Sequence, residues 1–276
     1  MKPLTTKQSR RLLAVLYVVF FLLLGLDTFI ILYAKFRSKA DPGIVDEPDG
    51  AGPFDVSKGL SLWLKLDEEK DAKAMDASGH WQPGLLKNFD FKQSGGPGKI
   101  RRALSFDGID DTILLADPIK SDCTIAFWMK TNTAFEAVDN AQDNRPTTPL
   151  LTFVSSDFNV HMSVEGELQD GANHLVFYTD TPAQRLTSKS AVAMDQWVHV
   201  ACSMKILTGE KTIYINGVKD NAITTGQKFF PGVNVLEVGS HEINKQYYQG
   251  MLDELRIYNR VLSDDEVLQV FCLSEN

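Results

Sequence analysis

The stretch LSFDGIDDTILL (Leu104–Leu115) decides the fold class, because it joins two short apolar runs through a tight polar turn. The first run is Ala103–Phe106 and the second is Thr112–Leu115. Short apolar runs separated by turn residues are typical of strands in an antiparallel sheet. The turn crowds three aspartates together, which suits a plain turn, a cation site, or the acid and base of an enzyme. These aspartates are Asp107, Asp110 and Asp111.

The same pattern of short strands continues along the chain from about Gly59. Turn signals such as Asn216–Gly217 separate the strands. A single helix is predicted at Ser263–Phe271, where Ser263 and Glu266 form a capping box. Many short strands with one helix predict an all-β sandwich. The predicted strands are Leu60–Leu66, Ala103–Phe106, Thr112–Leu115, Thr124–Lys130, Leu150–Val154, Asn159–Val164, His174–Tyr178, Trp197–Met204, Lys211–Ile215, Val235–Val238 and Leu252–Tyr258.

Five short motifs occur in a fixed order along this body. They are LWLKLDEE followed by the turn Asp76–Gly79, the segment Ala103–Asp111, the strand CTIAFWMKT, the pair Trp197–Val200 and Ile213–Gly217, and the closing stretch Gly250–Ser263. Together they resemble the LamG-like jelly-roll domains of the concanavalin A-like lectin/glucanase superfamily. The resemblance covers about Gly59 to Phe271 and implies a two-sheet antiparallel jelly-roll sandwich.

The resemblance also implies a structural Ca²⁺ ion, since turns in the family often hold one. Asp76, Asp107 and Asp253 each lie in a matched motif at a strand edge, and they are the predicted ligands. A Ca²⁺ ion takes six to eight oxygens, so such carboxylates must converge from several loops. We expect Asp110 and Asp111 to be solvated turn residues instead.

The alternative to a metal site is that these carboxylates serve the local structure. Asp76 and Asp107 would then cap turns through hydrogen bonds to the backbone, which aspartate forms readily. Asp253 would pair with Arg256 or Arg101.

Aromatic side chains in loops are the candidates for ligand contact, because exposed Trp and Tyr rings hold glycan and protein ligands. Trp81, Tyr247 and Tyr248 lie in predicted loops. The remaining tryptophans fall within strand patterns and are expected in the core; they are Trp63, Trp128 and Trp197.

Catalytic motifs are missing from the sequence. Glycan-cleaving members of the superfamily carry alternate carboxylates along one strand face as nucleophile and acid. The nearest approach is Glu165–Gln169, EGELQ, which ends in Gln and is interpreted as a polar strand face. No nucleophile lies in a recognisable motif. The chain is therefore predicted not to be an enzyme, with an anchored glycan-cleaving enzyme as the remote alternative.

The N-terminal part of the chain predicts a membrane anchor. Residues 12–34 are almost wholly apolar, and as a helix they would span roughly 35 Å, enough for a hydrocarbon core of about 30 Å. A basic tail, 1–11, precedes the helix, which favours a cytoplasmic N-terminus and an extracytoplasmic C-terminal domain, either periplasmic or on the cell surface. A linker, 35–56, leads to the LamG-like domain at 57–276. A cleaved signal peptide is the alternative.

Asp27 is the unusual residue of this segment, because a carboxylate inside a bilayer is unfavourable unless it is paired or neutral. Two interpretations stay open: Asp27 contacts a polar group on another membrane helix, or it is protonated and tolerated.

Charge and cysteine content narrow the function further. Residues 40–276 carry 35 acidic and 21 basic side chains, so nucleic acid is an unsuitable partner. At most one disulfide can form among Cys123, Cys202 and Cys272, and buried free thiols are the alternative.

The leading prediction is a membrane-anchored, extracytoplasmic binding or adhesion module for a glycan or protein ligand. The alternative is a non-catalytic structural or accessory subunit of a larger membrane or cell-surface assembly.

Overall fold

Two antiparallel β-sheets packed on each other make up the part of the chain that the computed structural model describes. This part comprises residues 55–70, 72–80, 82–116, 119–131, 138–139, 146–147, 151–156, 160–166, 173–179, 185–228, 235–241 and 245–273. No helix within these ranges is long and apolar enough to cross a membrane. The predicted anchor 12–34, Asp27 and Trp81 lie outside the described residues. The predicted all-β, two-sheet sandwich is confirmed.

Sheet A consists of eight strands. In spatial order they are β16 (Val218–Thr224), β15 (Glu210–Ile215), β14 (Val198–Lys205), β7 (Cys123–Thr131), β20 (Gln249–Tyr258), β5 (Arg102–Asp107) and β4 (Gly95–Pro97), with β1 (Leu60–Leu64) also paired to β20.

Sheet B has eight strands as well. Their order is β13 (Leu186–Ala191), β12 (Asn173–Tyr178), β11 (His161–Gly166), β10 (Leu151–Ser156), β17 (Val235–Val238), β6 (Thr112–Ala116), β3 (Gly84–Lys87) and β2 (Lys73–Ala74). Two further pairs are β18 (Ser240–His241) with β19 (Gln246–Tyr247), and β8 (Val138–Asp139) with β9 (Pro146–Thr147).

Strand β20 is the organising strand of sheet A, because it changes neighbours halfway along its length. Its first half, from Gln249 to Leu252, pairs with β5, and its second half, from Leu255 to Tyr258, pairs with β1. The register against β7 shifts at the same point. Glu254 lies at this irregularity with a left-handed φ of 56°. A bulge of this kind turns side chains away from the regular alternation.

The core between the sheets follows the period-two alternation of the strands. In β7, Cys123, Ile125, Phe127 and Met129 are buried in it. Burial raises the pKa of the Cys123 thiol to about 12, with a smaller contribution from Asp122. None of the three cysteines, all of which the structure describes, forms a disulfide.

The outer face of sheet A, which is turned away from sheet B, is partly covered by the helix α1 (Asp264–Leu273). Phe271 places its ring 5.4 Å from that of Trp128 and 5.7 Å from that of His199. Trp128 is therefore buried as predicted, although beneath this helix rather than between the sheets. The predicted capping box is confirmed: the Ser263 N–H donates to Glu266 Oε2 at 2.8 Å, and the Glu266 N–H donates to Ser263 Oγ at 3.2 Å.

Candidate functional site

The predicted metal ligands Asp76, Asp107 and Asp253 do not converge on one point. Among the described residues, a single group of three or more His, Cys, Asp or Glu side chains has all its ligand atoms within 4.8 Å of one another. That group is Asp107, Asp110 and Asp111, which contains only one of the three predicted residues.

Asp76 serves as a turn cap. Its Oδ1 accepts hydrogen bonds from the N–H groups of Trp63 (3.1 Å) and Ser78 (2.8 Å). Its Oδ2 accepts from the Ser78 hydroxyl at 2.9 Å and from the Gln82 N–H at 3.1 Å. Partial burial acts to raise the pKa of Asp76, but these hydrogen bonds outweigh it and the pKa is lowered. The carboxylate is thus already satisfied by the protein, as in the alternative interpretation of the sequence.

The acidic turn, defined as Asp107–Asp111, holds a buried carboxylate that the protein satisfies only in part. Asp111 is 2% exposed, which corrects the expectation that it is solvated, whereas Asp110 is exposed. Asp111 Oδ2 accepts the Asp107 N–H at 3.0 Å, but Oδ1 is buried and has no hydrogen-bond partner in the described part of the chain. Burial, and then the charges of Asp107 and Asp110, raise the pKa of Asp111 to about 6.

Asp253 is fully buried and forms no ion pair with Arg256 or Arg101, contrary to the alternative expected from the sequence. Its Oδ2 accepts the Ile100 N–H at 2.8 Å, so it holds the loop between β4 and β5. Gly98 makes this approach possible, because an added Cβ would lie 2.7 Å from Asp253 Oδ2. Burial raises the pKa of Asp253 to about 7.

One predicted ligand contact, Tyr248, is wrong. Tyr248 is completely buried in the core, where its ring meets Phe106 at 5.7 Å and its hydroxyl lies 3.2 Å from Thr131 Oγ1. It cannot present its ring to a ligand. Tyr247 is half-buried in β19, and Trp81 lies outside the described residues.

A cavity of about 330 Å³ opens instead on the outer face of sheet A. We call it the outer pocket. Pockets that bind small ligands start at about this size and combine apolar walls with a few polar groups. Its lining is Val56, Leu60, Trp63, Lys65, Asp67, Ile100, Arg101, Glu254, Arg256, Tyr258, Val270 and Leu273.

The polar centre of the outer pocket is a buried ion pair. Arg256 donates to Glu254 Oε2, and the two side chains are only 12% and 4% exposed. Glu254 Oε2 also accepts the indole N–H of Trp63 at 2.8 Å. Burial raises the pKa of Glu254, although Arg256 and Trp63 oppose this shift. Since buried charges need such partners, the network fixes the shape of the pocket.

Three of the seven described non-glycine residues with positive φ lie at the same cavity. Arg101 and Glu254, which line it, have φ values of 57° and 56°, and Leu66 between two lining residues has 59°. Non-glycine residues in this left-handed conformation are uncommon and cluster at ligand clamps and other functional sites. Tyr258 adds a buried hydroxyl that has no hydrogen-bond partner among the described residues.

Part of this site could be inferred from the sequence, although its residues were assigned to other roles. Glu254 and Arg256 belong to the closing motif, and Trp63 was expected in the core. Charged residues within an apolar strand must be paired if the strand is buried on both faces, so MLDELRIY indicates an ion pair to Arg256. The sequence did not show whether Asp253 or Glu254 is the partner, because the bulge at Glu254 departs from the regular alternation of side chains.

A family model described as the concanavalin A-like lectin/glucanases superfamily (Laminin_G_3) matches residues 107–268. A comparison with curated proteins gives no match.

Solved structures with similar folds include one domain of an arabinanase and the binding domains of two other proteins. Domain 4 of AbnA, a GH43 extracellular arabinanase from Geobacillus stearothermophilus solved with arabinotriose, is 23% identical over 76% of this chain and 97% of that one, with a TM-score of 0.56. The binding domain of Paraclostridial Mosquitocidal Protein 1 is 17% identical, and the match covers 79% of this chain and 52% of that one, with a TM-score of 0.58. The binding domain of botulinum neurotoxin DC, solved with rat synaptotagmin II, is 15% identical. The match covers 80% of this chain and 52% of that one, with a TM-score of 0.55. The chain thus spans about half of each toxin domain, and these similarities establish the fold.

Proposed function

This chain belongs to the concanavalin A-like lectin/glucanases superfamily, and we propose that it is a non-catalytic binding module that takes a glycan or protein ligand into the outer pocket. The observation that carries this proposal is the pocket itself, where a buried Glu254–Arg256 pair and a strained backbone shape an open cavity. Such preorganisation reduces the entropy lost on binding.

The ligand class is supported by proteins of similar fold. The arabinanase domain was solved with arabinotriose and the neurotoxin domain with synaptotagmin II. A glycan and a protein are therefore both reasonable ligands for a sandwich of this kind, and fold similarity does not choose between them.

The proposed location is a membrane, with the sandwich outside the cytoplasm. It rests on the sequence alone, in which residues 12–34 form an apolar segment behind a basic tail. The second candidate function, an accessory subunit of a membrane assembly, is favoured by Asp27, which would contact other membrane subunits.

A Ca²⁺ ion is proposed at the acidic turn rather than at the three aspartates first expected. Three carboxylates offer oxygens within 4.8 Å of one another, and the buried Asp111 Oδ1 lacks a hydrogen-bond partner among the described residues. This arrangement fits a hard cation that binds carboxylate oxygens at 2.3–2.6 Å. Asp107, Asp110 and Asp111 would hold the ion, whose charge would offset their mutual repulsion.

A matched pair of variants tests the binding function. Leu273 is 53% exposed at the pocket, and Leu207 is 64% exposed in the hairpin between β14 and β15. The full-length chain, extracted from membranes, is probed on a glycan array and used to capture protein partners. We expect Leu273→Glu to lose the ligands of the wild type and Leu207→Glu to keep them. Equal capture by both variants would refute the outer pocket as the binding site.

A further inference from the structure

Cations outnumber carboxylates in the outer pocket. Lys65, Arg101 and Arg256 line it together with Asp67 and Glu254. This local excess stands out because residues 40–276 carry 35 acidic side chains against 21 basic ones. A cationic pocket in an acidic surface concentrates anionic groups at one place and repels them elsewhere.

Neither carboxylate of the pocket forms an ion pair with the two outer cations, although the charge of Lys65 acts to lower the pKa of Glu254. Glu254 already accepts from Trp63 and Arg256. Asp67 Oδ1 accepts the Arg102 N–H at 3.0 Å. Within the described ranges, Lys65 and Arg101 form no ion pair.

The indole ring of Trp63 is already engaged by the protein's own cations. The Arg256 guanidinium lies 4.6 Å from the ring centroid and the Lys65 ammonium lies 4.9 Å from it. These cation–π contacts compete with stacking of a sugar ring on Trp63. The remaining wall is largely aliphatic and suits an aliphatic side chain better than a sugar; apart from Tyr258, it consists of Val56, Leu60, Ile100, Val270 and Leu273.

We propose that the outer pocket takes the C-terminal residue of a protein partner. An aliphatic last side chain packs against Leu60, Ile100 and Val270, and the terminal carboxylate binds between Lys65 and Arg101. Capture of a C-terminal carboxylate is an established mode of peptide recognition, and arginine donates to carboxylates with several N–H groups. This inference rests on the proposed function and names the partner class for the same site.

The test uses two N-acetylated peptides, Gly-Gly-Ala-Leu with a free C-terminal acid and the same peptide with a C-terminal amide. Binding to the purified full-length chain is measured by titration calorimetry, with sodium glucuronate as a third probe. Hydrogen bonds to a charged group are roughly twice as strong as those between neutral groups, so we expect the acid to bind at least about tenfold more tightly than the amide. Glucuronate is expected to bind more weakly than the acid peptide.

Two variants test whether the preference for the acid peptide over the amide arises in the outer pocket. Arg101→Asn removes a cation but tolerates the left-handed backbone at this position, where φ is 57°. Lys87→Gln removes an exposed cation from β3 in sheet B and is the control. We expect Arg101→Asn to weaken binding of the acid by about tenfold and Lys87→Gln to leave it unchanged.

The opposite results would overturn the inference. Equal binding of acid and amide, no binding of either, or tighter binding of glucuronate would each exclude a C-terminal carboxylate as the occupant. If the Leu273→Glu and Leu207→Glu variants still differ in ligand capture, the binding function survives and only the partner class fails.

Discussion

The acidic turn and the outer pocket both bury carboxylates, but only the pocket supplies a cation for them. In the pocket, Glu254 lies against Arg256 and Trp63. In the turn, Asp111 has a backbone N–H on one oxygen and nothing within the described residues on the other. A paired carboxylate is held in place by the fold, whereas an uncompensated one depends on a proton or an external ion. The pocket is therefore preorganised, and the turn responds to pH and to cations.

The largest effect is expected from breaking the ion pair. Arg256→Met leaves Glu254 buried without its cation, which costs about 3–5 kcal/mol of unfolding free energy. The double variant Arg256→Met/Glu254→Gln removes both charges and should recover most of that loss. Urea unfolding of the two variants measures the difference. If the double variant is as unstable as the single one, packing of the Arg256 side chain rather than its charge explains the effect.

The next effect is a pH dependence of stability from Asp111 and Asp253, each of which has one buried carboxylate oxygen without a hydrogen-bond partner in the described ranges. The pKa values of Asp111 and Asp253 are about 6 and about 7, above the unfolded value of about 3.9. The folded state binds more protons, so stability falls as pH rises from about 4 through 7. Between pH 5 and pH 8 without divalent cations, we expect a loss of about 2–4 kcal/mol. Asp111→Asn with Asp253→Asn should flatten this profile, and an unchanged slope would show that neither residue is the cause.

A cation response should distinguish the turn from the other aspartates. Ca²⁺ at about a hundredfold excess over Kd would stabilise the chain by about 2.7 kcal/mol. We expect the Tm of the full-length chain to fall in EGTA and to recover with Ca²⁺. Asp111→Asn should abolish the response, and Asp76→Asn should retain it because Asp76 is a turn cap. If only Asp76→Asn abolished the response of the Tm to Ca²⁺, the cation site would lie at Asp76 and not at the acidic turn.

The smallest effect belongs to an ion pair near the surface. Arg260 donates to both oxygens of Glu266, at 2.7 and 2.8 Å, with side chains 26% and 22% exposed. Partial burial acts to raise the pKa of Glu266, but its hydrogen bonds with Arg260 and Ser263 lower it overall. Its contribution is therefore present at neutral pH and lost in acid, as pH falls through the lowered pKa of Glu266. Glu266→Gln should cost about 1 kcal/mol in urea unfolding at pH 7. If Glu266→Gln lost as much unfolding free energy as Arg256→Met, the partly exposed ion pair would contribute as much to stability as the buried one, contrary to our expectation.

The sequence predicted the strands that carry a regular apolar alternation, and every predicted strand is present. It missed several strands, among them the sheet-edge strands β13 and β16, LTSKSA and VKDNAIT, which are held by backbone pairing with the preceding strands β12 and β15 rather than by a regular apolar face. Their few apolar residues give no periodic signal.

The site was less predictable because burial in loops and turns is set by tertiary packing. Tyr248 lies outside a strand and yet is buried in the core, and Asp111 lies in a turn and yet is buried. His199 is fully buried, and both its ring nitrogens lack hydrogen-bond partners in the described residues. Burial lowers its pKa to about 3, so the imidazole is neutral.

A ligand in the outer pocket would change the surroundings of Trp63, so its indole N–H signal in the ¹H–¹⁵N spectrum of the full-length chain reports directly on whether the pocket is the ligand site. This N–H donates to Glu254 inside the pocket, whereas Trp128 lies under α1 and serves as an internal reference. On addition of a ligand captured by the wild type, we expect the Trp63 signal to shift and the Trp128 signal to move little. A ligand that binds but leaves the Trp63 signal in place would show that the outer pocket is not the ligand site.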